Sequence, residues 1–92
     1  MASTFEELVE MQRAANEAQA KASALRELYG PPTVSPWTRQ QNDMYETAIR
    51  AWRDLERDVQ SEMTEYAKEQ GRVRGEVEEE VNARAGKPTQ GA

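Results

Sequence analysis

Apolar residues return along the first third of the chain at alternating steps of four and three: Leu8, Met11, Ala15, Ala18, Ala22, Leu25 and Tyr29. This spacing is a heptad seam on one face of a helix. Ala14, Ala20 and Ala24 flank the seam, which raises helix propensity and leaves a low surface that a neighbouring helix can approach closely. Ahead of it, Ser3 with Glu6, or Thr4 with Glu7, fits a capping box, in which a hydroxyl and a carboxylate satisfy the free amides of the first turn. Gly30 supplies a left-handed stop, and Pro31 and Pro32 forbid continuation. The first helix is therefore expected over about residues 4–29.

Ser35 followed by Pro36 predicts the restart, with a capping hydroxyl and then a proline whose missing amide costs nothing at the first helical position. A loop over about residues 30–35 is short enough to make the two helices antiparallel neighbours. The second helix then carries Tyr45, Trp52, Val59, Tyr66 and Val73 at sevenfold spacing, with Ala48, Ile49, Leu55 and Met63 between them. Equal rise along both helices makes positions whose numbers sum to roughly 67 face one another. Ala15 then meets Trp52, Ala22 meets Tyr45, Met11 meets Leu55 and Leu8 meets Val59, so that large side chains fall opposite small ones. The predicted hairpin core is Leu8, Met11, Ala15, Ala18, Ala22, Leu25, Tyr45, Ile49, Trp52, Leu55 and Val59, with Trp37 as a lid over the closed end.

The second helix, expected over about residues 36–83, outlasts the first. Gly71 and Gly75 each cost about 1 kcal/mol in a helix interior, so 71–75 is the place for a break. Met63, Tyr66, Val73, Val77 and Val81 stay on helical spacing past the reach of the first helix and form the predicted interaction surface. A second copy packing alongside, a fold-back after Gly75, or ordering on a different partner would each cover them. The first is expected, because a lone two-helix hairpin seldom buries enough to be stable. The fold class that follows is all-α: an antiparallel helical hairpin with a longer second helix, dimerising into a four-helix bundle or coiled coil. One domain is expected over about residues 1–84, with residues 85–92, rich in Gly and Pro, as a disordered tail.

Composition narrows the chemistry. Leu, Ile, Val and Phe supply 12 of 92 residues, below the roughly 20% common in folded chains. Two Trp, three Tyr and four Met add burial which that count misses. A net charge of −5 repels a phosphate backbone, so no nucleic-acid partner is expected. With no Cys and no His, thiolate chemistry, imidazole bases and the commonest metal ligands are all absent. No apolar run approaches the roughly 20 residues of a membrane span, and Glu6, Glu7 and Glu10 replace the basic start of a secretory signal. A cytoplasmic protein is expected, with signal-less secretion left open. Arg outnumbers Lys nine to three, a bias typical of GC-rich bacterial coding.

Glu62, Glu65 and Glu69 share one helix face, as do Glu76, Glu79 and Glu80. Inward carboxylates hold metals in some helical bundles, but the Glu-x-x-His element of those sites is missing and a solvated acidic face is the simpler account. Arg50, Arg53 and Arg57 form a basic stripe that can pair with Glu46 and Asp54 along the helix. No phosphate-cradling loop, metal-spaced pair or nucleophile with a neighbouring base is found. No cofactor, metal or catalytic residue is therefore expected, and the function expected is non-enzymatic protein–protein interaction through a homodimer or a protein partner. The hairpin length and the Trp at the bend are similar to the WXG100 family of small secreted proteins, which implies an antiparallel helical dimer. The bend here reads Pro36-Trp37-Thr38-Arg39, without the family's glycine two residues after Trp, and Gln70 stands where the acid four residues after Tyr66 would be. No membership follows from that likeness.

Overall fold

A computed structural model describes residues 3–86, which are all-helical: α1 (Phe5–Tyr29), α2 (Arg39–Gln70) and α3 (Arg74–Ala85). Thr4 caps α1, its hydroxyl accepting from the Glu7 amide while the Glu7 carboxylate accepts from the Thr4 amide. The bond from the Thr4 amide, followed by the Thr4 side chain beside the carboxylate, holds the Glu7 carboxyl below its usual pKa. The helix stops at Gly30, whose φ is 75°.

The second helix starts at Arg39, three residues after the Pro36 start expected from the sequence. Thr38 and Gln41 form a reciprocal capping box. Ser35 has Thr38 three residues on and so lacks the Glu or Gln that would return its bond. The connection is longer by the same amount. Trp37 stays outside the helix, donates its indole N–H to the Gly30 carbonyl at 2.7 Å, and stands edge-on between Tyr29 and Tyr45 with centroids at 5.4 and 5.2 Å. Ser3 meets Glu62 at one end of the α1–α2 pair and Tyr29 meets Met44 at the other, so the two helices run in opposite directions.

Past Gln70 the chain turns back. Gly71 adopts a left-handed φ of 62°, Arg72 donates to the Ala67 carbonyl and Gly71 to that of Lys68, the paired bonds of a Schellman ending. α3 then lies against both longer helices, where Val77 and Val81 are fully buried with Leu8, Val9, Val59, Met63 and Ala67. Arg84 pairs with Glu6 at 3.0 Å, Arg13 donates to the Arg84 carbonyl and Asn16 to that of Gly86.

This arrangement corrects the expected interaction surface. Met63, Val77 and Val81 are sealed inside the subunit. Tyr66 is half-buried against Phe5, with ring centroids 6.3 Å apart. Val73 alone of the five remains exposed, at 65%. The physical reason is that a left-handed glycine lets the chain cover its own stripe. Each buried valine contributes about 1.5–3 kcal/mol, without the loss of translational freedom that association requires. The second helix is accordingly two, and its overhang is the third layer of a short bundle. Ala85, placed by sequence in the tail, is the last residue of α3, and residues 87–92 lie outside the described residues.

Of the predicted hairpin core, Leu8, Ala15, Ala22 and Val59 are buried, whereas Met11, Ala18, Leu25, Tyr45, Ile49, Trp52 and Leu55 are half-buried. Met11 packs at the edge of the α3 cluster; away from α3, two helices alone shield only the strip where they touch, so side chains on either side of that strip keep one flank in water.

Candidate interaction surface

The molecule has two unlike ends. Where α3 lies across α1 and α2, the side chains close into the buried cluster described above. Among the described residues no third helix covers the pair towards the Gly30–Thr38 connection, and Leu28, Val34 and Met44 are 77, 81 and 49% exposed. Between the helices at this end a groove of about 340 Å³ is floored by Ala18, Leu25, Met44, Ala48 and Ala51, with Lys21 on the α1 wall and Asp43 on the α2 wall. Small residues at 18, 48 and 51 set its floor low, and Leu28 stands three residues beyond Leu25 on the same side of α1.

That groove faces away from α3. Asn16, which reaches Gly86 at the end of α3, is two residues before Ala18, and that is about 200° round the helix. The other face of the same pair bears a second hollow of about 310 Å³, lined by Ser23, Arg26, Tyr45, Ile49, Trp52 and Arg53 among others. It continues the line of α3 along the pair, and it is the more polar of the two by its residues.

Several of the charged groups singled out from sequence are paired along the surface. Glu46 pairs with Arg50 at 3.1 Å and Asp54 with Arg57 at 3.5 Å, so the basic stripe is largely neutralised in place. Arg74 pairs with Glu78 at 3.4 Å, and Arg72 with Glu80. The hydrogen bond from Arg72 is the main reason the Glu80 carboxyl is held below its usual pKa and the guanidinium above its own. Glu62 accepts from the Ser3 hydroxyl at 2.9 Å. Among the described residues no cluster of acids is arranged to hold a metal ion, and no helix is long and apolar enough to cross a membrane.

Sequence reasoning missed Val9, Gln12, Gln19 and Ala67, all of which are buried. Val9 sits next to Leu8 on the flank that α3 covers, and two adjacent apolar residues widening a narrow seam were the available signal. Gln12 satisfies its amide on Asn16 at 2.9 Å, which is how a polar residue enters this core. Met44 and Ala51, which line the groove, stand off the heptad positions and were not singled out.

Comparison with protein-family models, with curated proteins and with solved structures finds no match to this chain. The surface must be read from its own geometry.

Proposed function

We propose that the protein is a non-enzymatic helical interaction module whose working surface is the two-helix end. The single observation that carries this reading is the apolar groove beside Leu25 and Met44, open to water at the end where the bundle lacks a third layer. A chain with so few large aliphatics gains from burying each one, and three exposed at one end mark a face suited to a protein partner. The surface proposed here is thus at the opposite end from the Val77 and Val81 stripe, which the chain covers itself.

A photo-crosslinking residue placed at Met44, in the cells that make the protein, tests the reading. A discrete protein adduct that disappears when Leu25→Asp is added is the expected result. Adducts that are absent, or no different from those formed at exposed Glu17, would refute it.

A further inference from the structure

We infer that the second hollow, on the other face of the helix pair, is a binding site for a small aromatic anion, one that carries a carboxylate or phosphate on a flat apolar ring. The site is separate from the apolar groove, and neither reading depends on the other.

Its charge sets it apart. The chain has 17 acidic residues against 12 basic ones, yet this hollow is lined by two arginines, Arg26 from α1 and Arg53 from α2, and by no carboxylate. Arg13, Arg50, Arg57, Arg72, Arg74 and Arg84 each pair with an acid of the chain itself. Among the described residues Arg26, Arg39 and Arg53 do not, and two of these three guanidiniums stand at the one hollow.

Gln19 points to a ligand independently. It is 6% exposed, and an amide so deeply placed ordinarily has a partner. Gln12, one helix face with it, bonds Asn16, whereas the Gln19 side chain bonds nothing among the described residues. No described side-chain nitrogen or oxygen is both sealed and unpartnered, so the small part of Gln19 left open is its amide, and it opens on the hollow that it lines. A donor and an acceptor are thereby held in place for something outside the chain. The Trp52 indole N–H is likewise without a partner among the described residues.

The walls define the rest of the ligand. Tyr45 and Trp52, seven residues apart on α2, present ring surface on either side of Ile49, and Tyr45 is braced edge-on by Trp37 at 5.2 Å. Guanidinium groups grip carboxylate and phosphate oxygens through paired N–H bonds and lie well against aromatic planes. A volume of about 310 Å³ suits a small molecule. An inorganic anion would use the two cations and leave the rings idle, and a neutral ring would do the reverse.

The test is a titration of the full ¹⁵N-labelled chain at low salt with benzoate, phenyl phosphate, benzamide and inorganic phosphate. Benzoate or phenyl phosphate should shift the Gln19 side-chain amide and the Trp52 indole N–H saturably, and whichever binds more tightly names the oxyanion. Benzamide and inorganic phosphate should bind at least about tenfold more weakly. Arg26→Gln and Arg53→Gln should each weaken the aromatic anion by about tenfold, while Arg39→Gln, which removes the same charge away from the hollow, should change it by less than about twofold. All three arginines are exposed, and unchanged helical circular dichroism checks that the variants fold. Absence of a saturable shift with either aromatic anion, equal affinity for benzamide or inorganic phosphate, binding that survives both substitutions in the hollow, or an equal loss with Arg39→Gln would each overturn the site.

Discussion

The α3 end and the connection end of this molecule are built from the same two helices, yet only one of them has a core. At the α3 end twelve additional residues convert half-shielded positions into fully buried ones: Leu8, Val9, Val59 and Met63 have no exposed surface. Towards the connection Leu25, Ile49 and Trp52 stay half-open. The difference lies in the count of neighbours and not in the hydrophobicity of the residues. A helix pair buries one stripe per helix, and a third helix is needed to bury the flanks. The connection end relies instead on local devices: the Thr38–Gln41 capping box, the Trp37 bond to Gly30, and the Tyr29–Trp37–Tyr45 stack.

Equivalent truncations at the two ends should expose this contrast most strongly. Met63→Ala, in the closed cluster, is expected to cost about 3 kcal/mol, because a void surrounded on all sides is poorly refilled. Ile49→Ala, in the open stretch, should cost about 1 kcal/mol, since part of the side chain already faces water. Chemical denaturation at concentrations too low for association measures both, and equal losses would break the comparison. The joint that makes α3 possible comes next. Gly71→Ala meets no neighbouring atom, so its expected cost of about 1 kcal/mol comes from the left-handed backbone alone. Gly75→Ala should cost nothing or stabilise, since Gly75 lies within α3 at an ordinary φ. A smaller and more local effect is expected of Thr38→Ala. Loss of that cap, about 0.5–1 kcal/mol, should speed amide exchange through the first turns of α2 and leave the amides beyond Val59 as they were. Uniform acceleration along α2 would mean that the two ends unfold as one unit.

Much of the helical pattern could be read from the sequence, since heptad spacing and caps are short-range signals. Thr4 with Glu7, the Gly30 stop and the weakness at Gly71 are each written within four residues. The Ser35–Pro36 restart misled because one hydroxyl before a proline is half a cap, and the complete box three residues later outcompetes it. The exposed stripe misled for a different reason. The periodicity of Met63, Val77 and Val81 states that they will be covered, but not by what, and it reads alike for a straight helix meeting a second copy and a bent one meeting its own chain. Direction after a left-handed glycine is a three-dimensional property. The groove was illegible for a related reason: Ala18 and Ala48 look like core and Lys21 and Asp43 like surface, and only their placement around one hollow relates them.

Acid provides the finest test of the contrast, because the ion pair that ties the turn before α3 to that helix's second turn has no counterpart across the groove end among the described residues. The Arg72 guanidinium lowers the Glu80 pKa from its ordinary 4.5. A carboxyl whose pKa is lower folded than unfolded favours the folded state above the unfolded value, and that preference is lost as pH falls through the folded one. Glu80 is exposed, so the effect should be small and screened by salt. Glu7, lowered by its bonds to Thr4, titrates in the same window, which makes acid alone ambiguous. Glu80→Gln separates the two. As pH falls below about 4.5, the native chain should lose amide protection at Val77 and Val81 more steeply than the variant, while both lose it equally in the first turn of α1. Parallel pH profiles at Val77 in the two proteins would remove the ion pair from any role in holding α3, and leave valine burial and the turn at Gly71 as what separates the closed end from the open one.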